Sequence, residues 1–250
     1  LLALMEGTIA VEIEPQTLAT VGNFNYDGKI NGPITAHPKF DHSSGEMVFF
    51  GNQAKGPFSE FLRMNVADKH GKLIKDEMIE APFPSFAHDF FVTKKYVVFP
   101  VYPLVFNLER AISSGIPMAW EPERGAHFGV MPRTGSAADV TWHSMDPRWS
   151  FHMVNAWDEG DTIKVDVCAS NATRFAPKLD GTMASDAEGL SPALRRWRWR
   201  ARPASGWCSP RRKGWSSRRG RRSAVRGIRC PTASSRSRTR WSSCTRTRSA

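Results

Sequence analysis

Short runs of β-branched and aromatic residues, separated by turn residues, extend through the first three quarters of this chain. The clearest are Thr8–Ile13, Met47–Gly51, Tyr96–Val101 and Thr162–Val167. Such residues favour strands, and runs this short, bounded by Gly, Pro, Asn and Asp, are typical of all-β domains. A helical pattern is indicated only near Leu104–Ser113. The pattern therefore predicts an all-β fold, either a sandwich, a barrel or a propeller.

The segment ITAHPKFDHSSGEMVFFG, residues 34–51, predicts a β-hairpin with a histidine at a fixed place. Pro38 excludes the α region for the residue before it, so His37 lies in extended backbone. Residues 41–45 have turn composition, and residues 47–50 form the returning strand. Taken alone, His37 is better explained as a structural histidine of a strand.

Charge divides the chain sharply near residue 194. Residues 195–250 carry 18 Arg and one Lys with no Asp or Glu, and residues 1–194 carry 16 basic and 24 acidic side chains. The basic segment lacks the apolar residues needed for a core, so we expect a folded domain over 1–194 and a disordered tail over 195–250. Arg, Ser, Trp, Cys, Gly, Ala and Pro are also what GC-rich DNA encodes out of frame. We interpret the tail as out-of-frame sequence, with a nucleic-acid-binding arm as the alternative.

The number of cysteines and the hydropathy of the sequence indicate the cell compartment in which the protein is expected. Cys168 is the single cysteine among residues 1–194, so no disulfide framework is possible there, which favours a reducing, cytoplasmic environment. The sequence shows no signal-peptide pattern and no apolar run of 18 residues, so we expect no stable membrane insertion.

Three of the seven histidines share a context beside predicted strands: His37 at a strand end, His88 directly before a strand and His152 within a strand that a turn follows. Their separations, 51 and 64 residues, are close to one propeller blade per step. Blades that each direct one imidazole toward a common axis would form a site for iron, copper, zinc or nickel. We expect the remaining histidines to be mostly solvated, with His143 as the main competitor: His42, His70, His127 and His143.

Five stretches give the chain a family resemblance: LLALMEG, TAHPKFDHSSGEMVFFG, HDFFVTKKYVVFPVYP, FGVMPR and FHMVNAWDEGD. In order and spacing they resemble the carotenoid cleavage oxygenases, which include the bacterial lignostilbene dioxygenases. The resemblance implies a seven-bladed β-propeller with a ferrous iron on its axis. It covers nearly all of residues 1–190, so we expect about three of the seven blades.

The resemblance also assigns candidate site residues. It implies that His37, His88 and His152 are three of four iron ligands, and that Glu6 accepts the far ring N–H of one of them, His88. The implied reaction is cleavage by O2 of a conjugated C=C bond in a carotenoid, apocarotenoid or stilbene, giving two carbonyl products. The implied substrate is thus small, conjugated, and apolar or phenolic.

The chain also departs from the family. The family's fourth histidine lies near its C-terminus, and no histidine follows His152 here. We therefore expect an internal piece of a family member that is inactive by itself. The competing hypothesis is a non-catalytic acidic β domain whose basic tail binds nucleic acid. Under the out-of-frame interpretation of the tail, no nucleic-acid partner is expected.

Overall fold

The computed structural model describes residues 1–200, which contain sixteen β-strands and one α-helix. The helix α1 covers Leu108–Ser114; Asn107 caps its first turn by accepting from Arg110 N, and Gly115 ends it in the left-handed region. The strands are β1 (Leu2–Ala3), β2 (Ala10–Ile13), β3 (Thr20–Phe24), β4 (Lys39–Asp41), β5 (Glu46–Gly51), β6 (Phe61–Ala67), β7 (Leu73–Glu80), β8 (Phe91–Val92), β9 (Tyr96–Val101), β10 (Leu104–Phe106), β11 (Met118–Trp120), β12 (Ala126–Pro132), β13 (Thr141–Met145), β14 (Met153–Glu159), β15 (Thr162–Ala169) and β16 (Ala193–Arg200).

The strands form four antiparallel sheets that follow one another along the chain: β1-β2-β3, β4-β5-β6-β7, β8-β9-β12-β13 and β14-β15-β16. The ribbon β10–β11, with α1 between its strands, is inserted between β9 and β12. Successive up-and-down sheets of three or four strands are the blade pattern of a β-propeller. The all-β prediction is confirmed, with four blade-like sheets where about three were expected. Within residues 1–200, no helix is long and apolar enough to cross a bilayer.

The apolar run of β9 is continuous because both faces of its sheet are covered. Val97, Phe99 and Val101 lie in one core cluster with Phe50 and Leu62 of the preceding sheet. The alternate residue Val98 lies in a second cluster, on the opposite face. Neighbouring residues of a strand point to opposite faces, so a strand buried on both sides has no polar alternation.

The core is thus divided among the spaces between successive sheets. A third cluster joins Ala10 of the first sheet to Phe49 and Ala67 of the second. The cluster that contains Val98 also holds Phe128, Ile163, Val165 and Trp199, and therefore joins the third sheet to the fourth. Each sheet buries its faces only when its neighbours are present.

Most predicted strands are present, and the predicted hairpin is confirmed. Lys39, Phe40 and Asp41 pair with Val48, Met47 and Glu46. The helix is shorter than predicted, since residues 104–106 form β10 rather than its first turn. Strands β6 and β7 were not predicted, because Arg63, Asn65 and four charged residues of β7 interrupt their apolar pattern.

The boundary predicted after residue 194 is corrected by strand β16, which pairs with β15 from Ala193 to Arg200. Trp199 is 3% exposed and its ring lies 5.0 Å from that of Phe128. Arg196 donates two hydrogen bonds of 2.7 Å to the carboxylate of Asp166. The two tryptophans of this strand supply the apolar area that the basic composition seemed to lack. The rest of the predicted tail, 201–250, lies outside the described residues.

We predict that Trp199→Ala lowers the free energy of unfolding by about 3 to 5 kcal/mol, since it empties a buried site between two sheets. The matched control is Arg198→Ala in the same strand, which removes an exposed side chain and should change the free energy by less than about 0.5 kcal/mol. Urea unfolding of the two variants gives the comparison. Equal effects would show that β16 does not contribute to the core.

An ion-pair network joins the second and third sheets. Arg133, at the end of β12, donates to Asp41 Oδ2 and to Glu46 Oε2, each over 2.6 Å. Hydrogen bonds from Ser43 and from Arg133 hold the pKa of Asp41 well below its usual range. The ionised carboxylate is therefore favoured in the folded protein.

This network predicts a loss of stability in acid. A carboxyl whose pKa is lower in the folded than in the unfolded chain stabilises the fold above its unfolded pKa, near 4, and loses that contribution as the pH falls. We expect Asp41→Asn to flatten the decline of the unfolding free energy between about pH 5 and pH 2. Urea unfolding of both proteins across this range tests it, and parallel curves would contradict it.

Candidate metal centre

Each of the three candidate histidines lies just before the first strand of a sheet. His37 precedes β4 by two residues, His88 precedes β8 by three, and His152 directly precedes β14. These first strands form one edge of their sheets, and β8 and β14 are in contact. The blades thus bring together three short segments that are far apart in the sequence.

The three imidazoles converge through the same ring atom. His37 Nε2 lies 2.9 Å from His88 Nε2, which lies 3.2 Å from His152 Nε2. The three ring planes are inclined to one another by 63° to 79°. The rings therefore meet at their edges around a common point and do not stack. The structure brings together all three histidines that the sequence singled out.

Glu6 contacts the opposite side of the central ring. Its Oε1 is buried and lies 3.0 Å from His88 Nδ1. Met5 forms a bridge with Ile34, and Ile34 N donates to Thr8 O, so the turn that carries Glu6 is attached to the segment leading to His37. A carboxylate at Nδ1 favours the tautomer with its proton there, which leaves the Nε2 lone pair directed at the other two rings.

Burial favours the uncharged form of His88. Desolvation lowers the pKa of His88, and the neighbouring His37 and His152 lower it further, against the opposing effect of Glu6. A neutral imidazole is the form that binds metals. Three imidazoles with ligand atoms within 4.8 Å of one another are a donor set that suits transition metals. The arrangement of donors fits a metal ion, and a cation would relieve the mutual repulsion of facing lone pairs.

Thr35 helps to hold two of these histidines, and the sequence reasoning missed it. Its side chain is buried; Oγ1 accepts from His37 N over 3.0 Å and donates to His88 O over 3.3 Å. The backbones of the first two histidine segments are thus joined by one hydroxyl. Thr35 lies two residues from a candidate histidine, but a lone threonine carries no distinctive sequence signal.

A group of aromatic side chains, called here the aromatic wall, lies beside the three histidines, and the sequence reasoning missed it as well: Phe86, Trp149, Phe151 and Phe175. Its rings come from the segments that lead into β8 and β14 and from the loop before β16, and two of them contact His88: Phe86 with ring centroids 6.1 Å apart and Phe151 at 5.4 Å. Phe175, which is 46% exposed, lies 5.1 Å from both phenylalanines. Trp149 packs behind them. The wall gives one side of the site an accessible apolar surface.

The other histidines of the described residues lie outside this group. His127 Nε2 lies 3.0 Å from Arg124 O, and His143 pairs with Phe128 within a sheet. Among residues 1–200, the three-imidazole group is the one assembly of His, Cys, Asp and Glu side chains arranged to hold a metal.

Comparison with known proteins places this geometry in a family. A sequence model of the family described as retinal pigment epithelial membrane protein matches residues 1–236. This chain belongs to the carotenoid oxygenase family. It is 38% identical over 197 residues to isoeugenol monooxygenase from Pseudomonas putida, an alignment that covers 78% of this chain and 41% of the relative.

Solved structures of carotenoid oxygenases share the fold. Lignostilbene dioxygenase from Pseudomonas brassicacearum superposes with a TM-score of 0.74 and 33% identity, covering 80% of this chain and 42% of that one. Cobalt-substituted apocarotenoid oxygenase from Synechocystis superposes with a TM-score of 0.65 and 25% identity, covering 79% and 43%. The predicted β-propeller is confirmed, and the chain spans less than half of each of these relatives.

Proposed function

We propose that His37, His88 and His152 hold an iron(II) ion, and that the protein is a dioxygenase that cleaves a conjugated C=C bond with O2 to give two carbonyl products. The observation that carries the proposal is the convergence of three Nε2 atoms, one of them on a ring whose Nδ1 faces Glu6. Membership of an oxygenase family supports the choice of iron. Iron supplies the one-electron chemistry with O2 that side chains lack.

The residues around the cluster orient the ring nitrogens and shape the substrate side. Glu6 contacts Nδ1 of His88, and Thr35 forms hydrogen bonds to the backbones of His37 and His88. Neither residue contacts the three Nε2 atoms in these interactions. The aromatic wall lines one side of the cluster and offers ring faces for stacking at centroid separations of about 4.5 to 7 Å. Met5, next to Glu6 in the sequence, is a further apolar side chain and is 54% exposed.

These surfaces favour a planar, conjugated substrate that is apolar or phenolic. The names of two relatives, isoeugenol monooxygenase and lignostilbene dioxygenase, refer to phenolic compounds with a conjugated C=C bond. We propose the same substrate class here, with carotenoid-derived polyenes as the second class. The proposed partners are this substrate and O2, and the cytoplasmic location stays a prediction.

The competing hypothesis, a non-catalytic β domain with a nucleic-acid-binding tail, depends on residues 201–250, which lie outside the described part of the chain. Within residues 1–200, the convergent imidazoles favour the oxygenase.

The function can be tested in a closed propeller. Residues 1–200 would replace the structurally equivalent segment of the P. brassicacearum dioxygenase, and iron content, O2 uptake and aldehyde products would be measured with a stilbene, isoeugenol and an apocarotenoid. We predict about one iron per chain and cleavage of at least one substrate. We also predict that His37→Ala, His88→Ala and His152→Ala each reduce iron and cleavage to background.

The matched control is His143→Ala, which removes an imidazole outside the cluster and should leave iron content unchanged. Full iron occupancy in the His88→Ala chimera would remove His88 from the ligand set. A folded, iron-loaded chimera that cleaves none of the three substrates would overturn the proposed reaction.

A separate prediction concerns Glu6 in the 250-residue chain. Glu6→Ala removes the carboxylate that selects the His88 tautomer, so the dissociation constant for Co²⁺ should rise about 10- to 100-fold. Cobalt is a suitable probe because it binds such ligands more tightly than ferrous iron and has visible absorption bands. Glu12→Ala, in the adjacent strand, is the control, and an unchanged constant in Glu6→Ala would refute the role given to Glu6.

A further inference from the structure

One buried carboxylate contacts all three sheets that carry the histidines. Asp89 is 3% exposed and follows His88 in the sequence. Its Oδ1 accepts from Lys39 Nζ over 2.6 Å and from Phe90 N over 2.8 Å, and its Oδ2 accepts from Met153 N over 3.0 Å. Lys39 lies in the second sheet and Met153 in the fourth, so Asp89 links both to the third.

The partners of Asp89 are themselves neighbours of the candidate ligands. Lys39 lies two residues after His37, and Met153 directly follows His152. Each histidine is therefore one or two residues in the sequence from Asp89 itself or from one of its hydrogen-bond partners. The register of β14 also shifts between Met153 and Asn155, and such bulges commonly redirect a side chain next to an active site.

The chemistry of the contact requires a carboxylate. Three donors point at two oxygens, so the group must act as an acceptor on both sides. An asparagine offers one oxygen and one NH2 group. If its oxygen replaced Oδ1, its NH2 would face the N–H of Met153; in the flipped orientation it would face Lys39 and the N–H of Phe90. Either orientation opposes donor to donor, which a buried site tolerates poorly.

We propose that Asp89 is a positioning residue that sets the distances among His37, His88 and His152 by holding their three segments to one carboxylate. None of the three hydrogen bonds of Asp89 is to an imidazole. Asp89 acts on the histidines through the backbone of Phe90 and Met153 and through the side chain of Lys39. The inference rests on the proposed metal site and goes beyond it, since the ligand set by itself does not require a common tether.

The test is titration of the 250-residue chain with Co²⁺ under anaerobic conditions, followed by visible absorption. We expect Asp89→Asn to raise the dissociation constant about 10- to 100-fold and to change the position or intensity of the cobalt absorption bands. The spectrum reports the arrangement of ligands around the metal, which a general loss of stability does not alter.

Glu121→Gln is the matched structural control. Glu121 is 4% exposed and forms ion pairs with Arg110 and Arg124. Neither ion pair involves one of the three histidines. The same acid-to-amide change there should lower the thermal unfolding midpoint but leave the dissociation constant for Co²⁺ within about twofold and its spectrum unchanged. Asp89→Asn with the affinity and spectrum of the parent chain would overturn the proposal.

A second pair of variants decides the question if Asp89→Asn does not fold. Lys39→Arg keeps a cationic donor to Asp89, whereas Lys39→Met removes it, and Lys39 is exposed enough for both to be accommodated. We expect Lys39→Arg to bind Co²⁺ like the parent chain and Lys39→Met to bind at least about tenfold more weakly. Equal affinities would refute the tether.

His88→Ala separates this inference from the proposed function. If the parent chain and His88→Ala bind Co²⁺ with the same affinity and spectrum, the metal site itself is wrong. If His88→Ala loses binding and Asp89→Asn keeps it, the metal site stands and only the positioning role of Asp89 fails.

Discussion

Burial of the apolar faces between successive sheets is the constraint on which the rest of the structure depends. The third sheet has apolar residues on both faces of β9, so it is stable only when the second and fourth sheets cover it. Covering both faces packs the sheets side by side and aligns their first strands along one edge. The residues just before those strands are then forced together, although 51 and 64 residues separate them in the sequence. The proposed metal centre is thus a consequence of how the sheets pack.

The convergence of three imidazoles opposes stability in the absence of a cation. Removing His88 from water lowers its pKa and so favours the neutral ring. The Nε2 atoms approach to 2.9 and 3.2 Å. The carboxylate of Glu6 lies at His88 Nδ1, on the side of the ring away from Nε2. Its negative charge there favours binding of a cation at the three Nε2 atoms, while Glu6 itself takes no ligand position. Glu6 supports His88 through Nδ1, and Thr35 joins the backbones of His37 and His88, so neither uses the Nε2 atoms that face one another.

The sequence predicted those features that are local and missed those that depend on packing. The His37 hairpin could be predicted because Pro38 and the turn after Phe40 act within a few residues. The site histidines could be predicted as a set because they precede strands at blade-like intervals. Asp89 could not be predicted as a residue of the site, because its hydrogen-bond partners lie 50 and 64 residues away in the sequence. In the sequence it is only one charged residue before a strand. Strand β16 was missed because its charge resembles a disordered tail, while its stability comes from Trp199 in a core formed by other strands.

Residues 86–89 show how one short segment serves both the site and the scaffold. The ring of Phe86 lies 11° from parallel to the ring of His88, so these alternate residues face the aromatic wall together. Ala87 lies in the core between the second and third sheets, and Asp89 joins the segments of the other two histidines. Successive side chains of extended backbone point in opposite directions, so one side of the segment faces the site and the other holds it in place. A substitution on the scaffold side should therefore change how the ligands are arranged, whereas one at Phe86 should change what binds beside them.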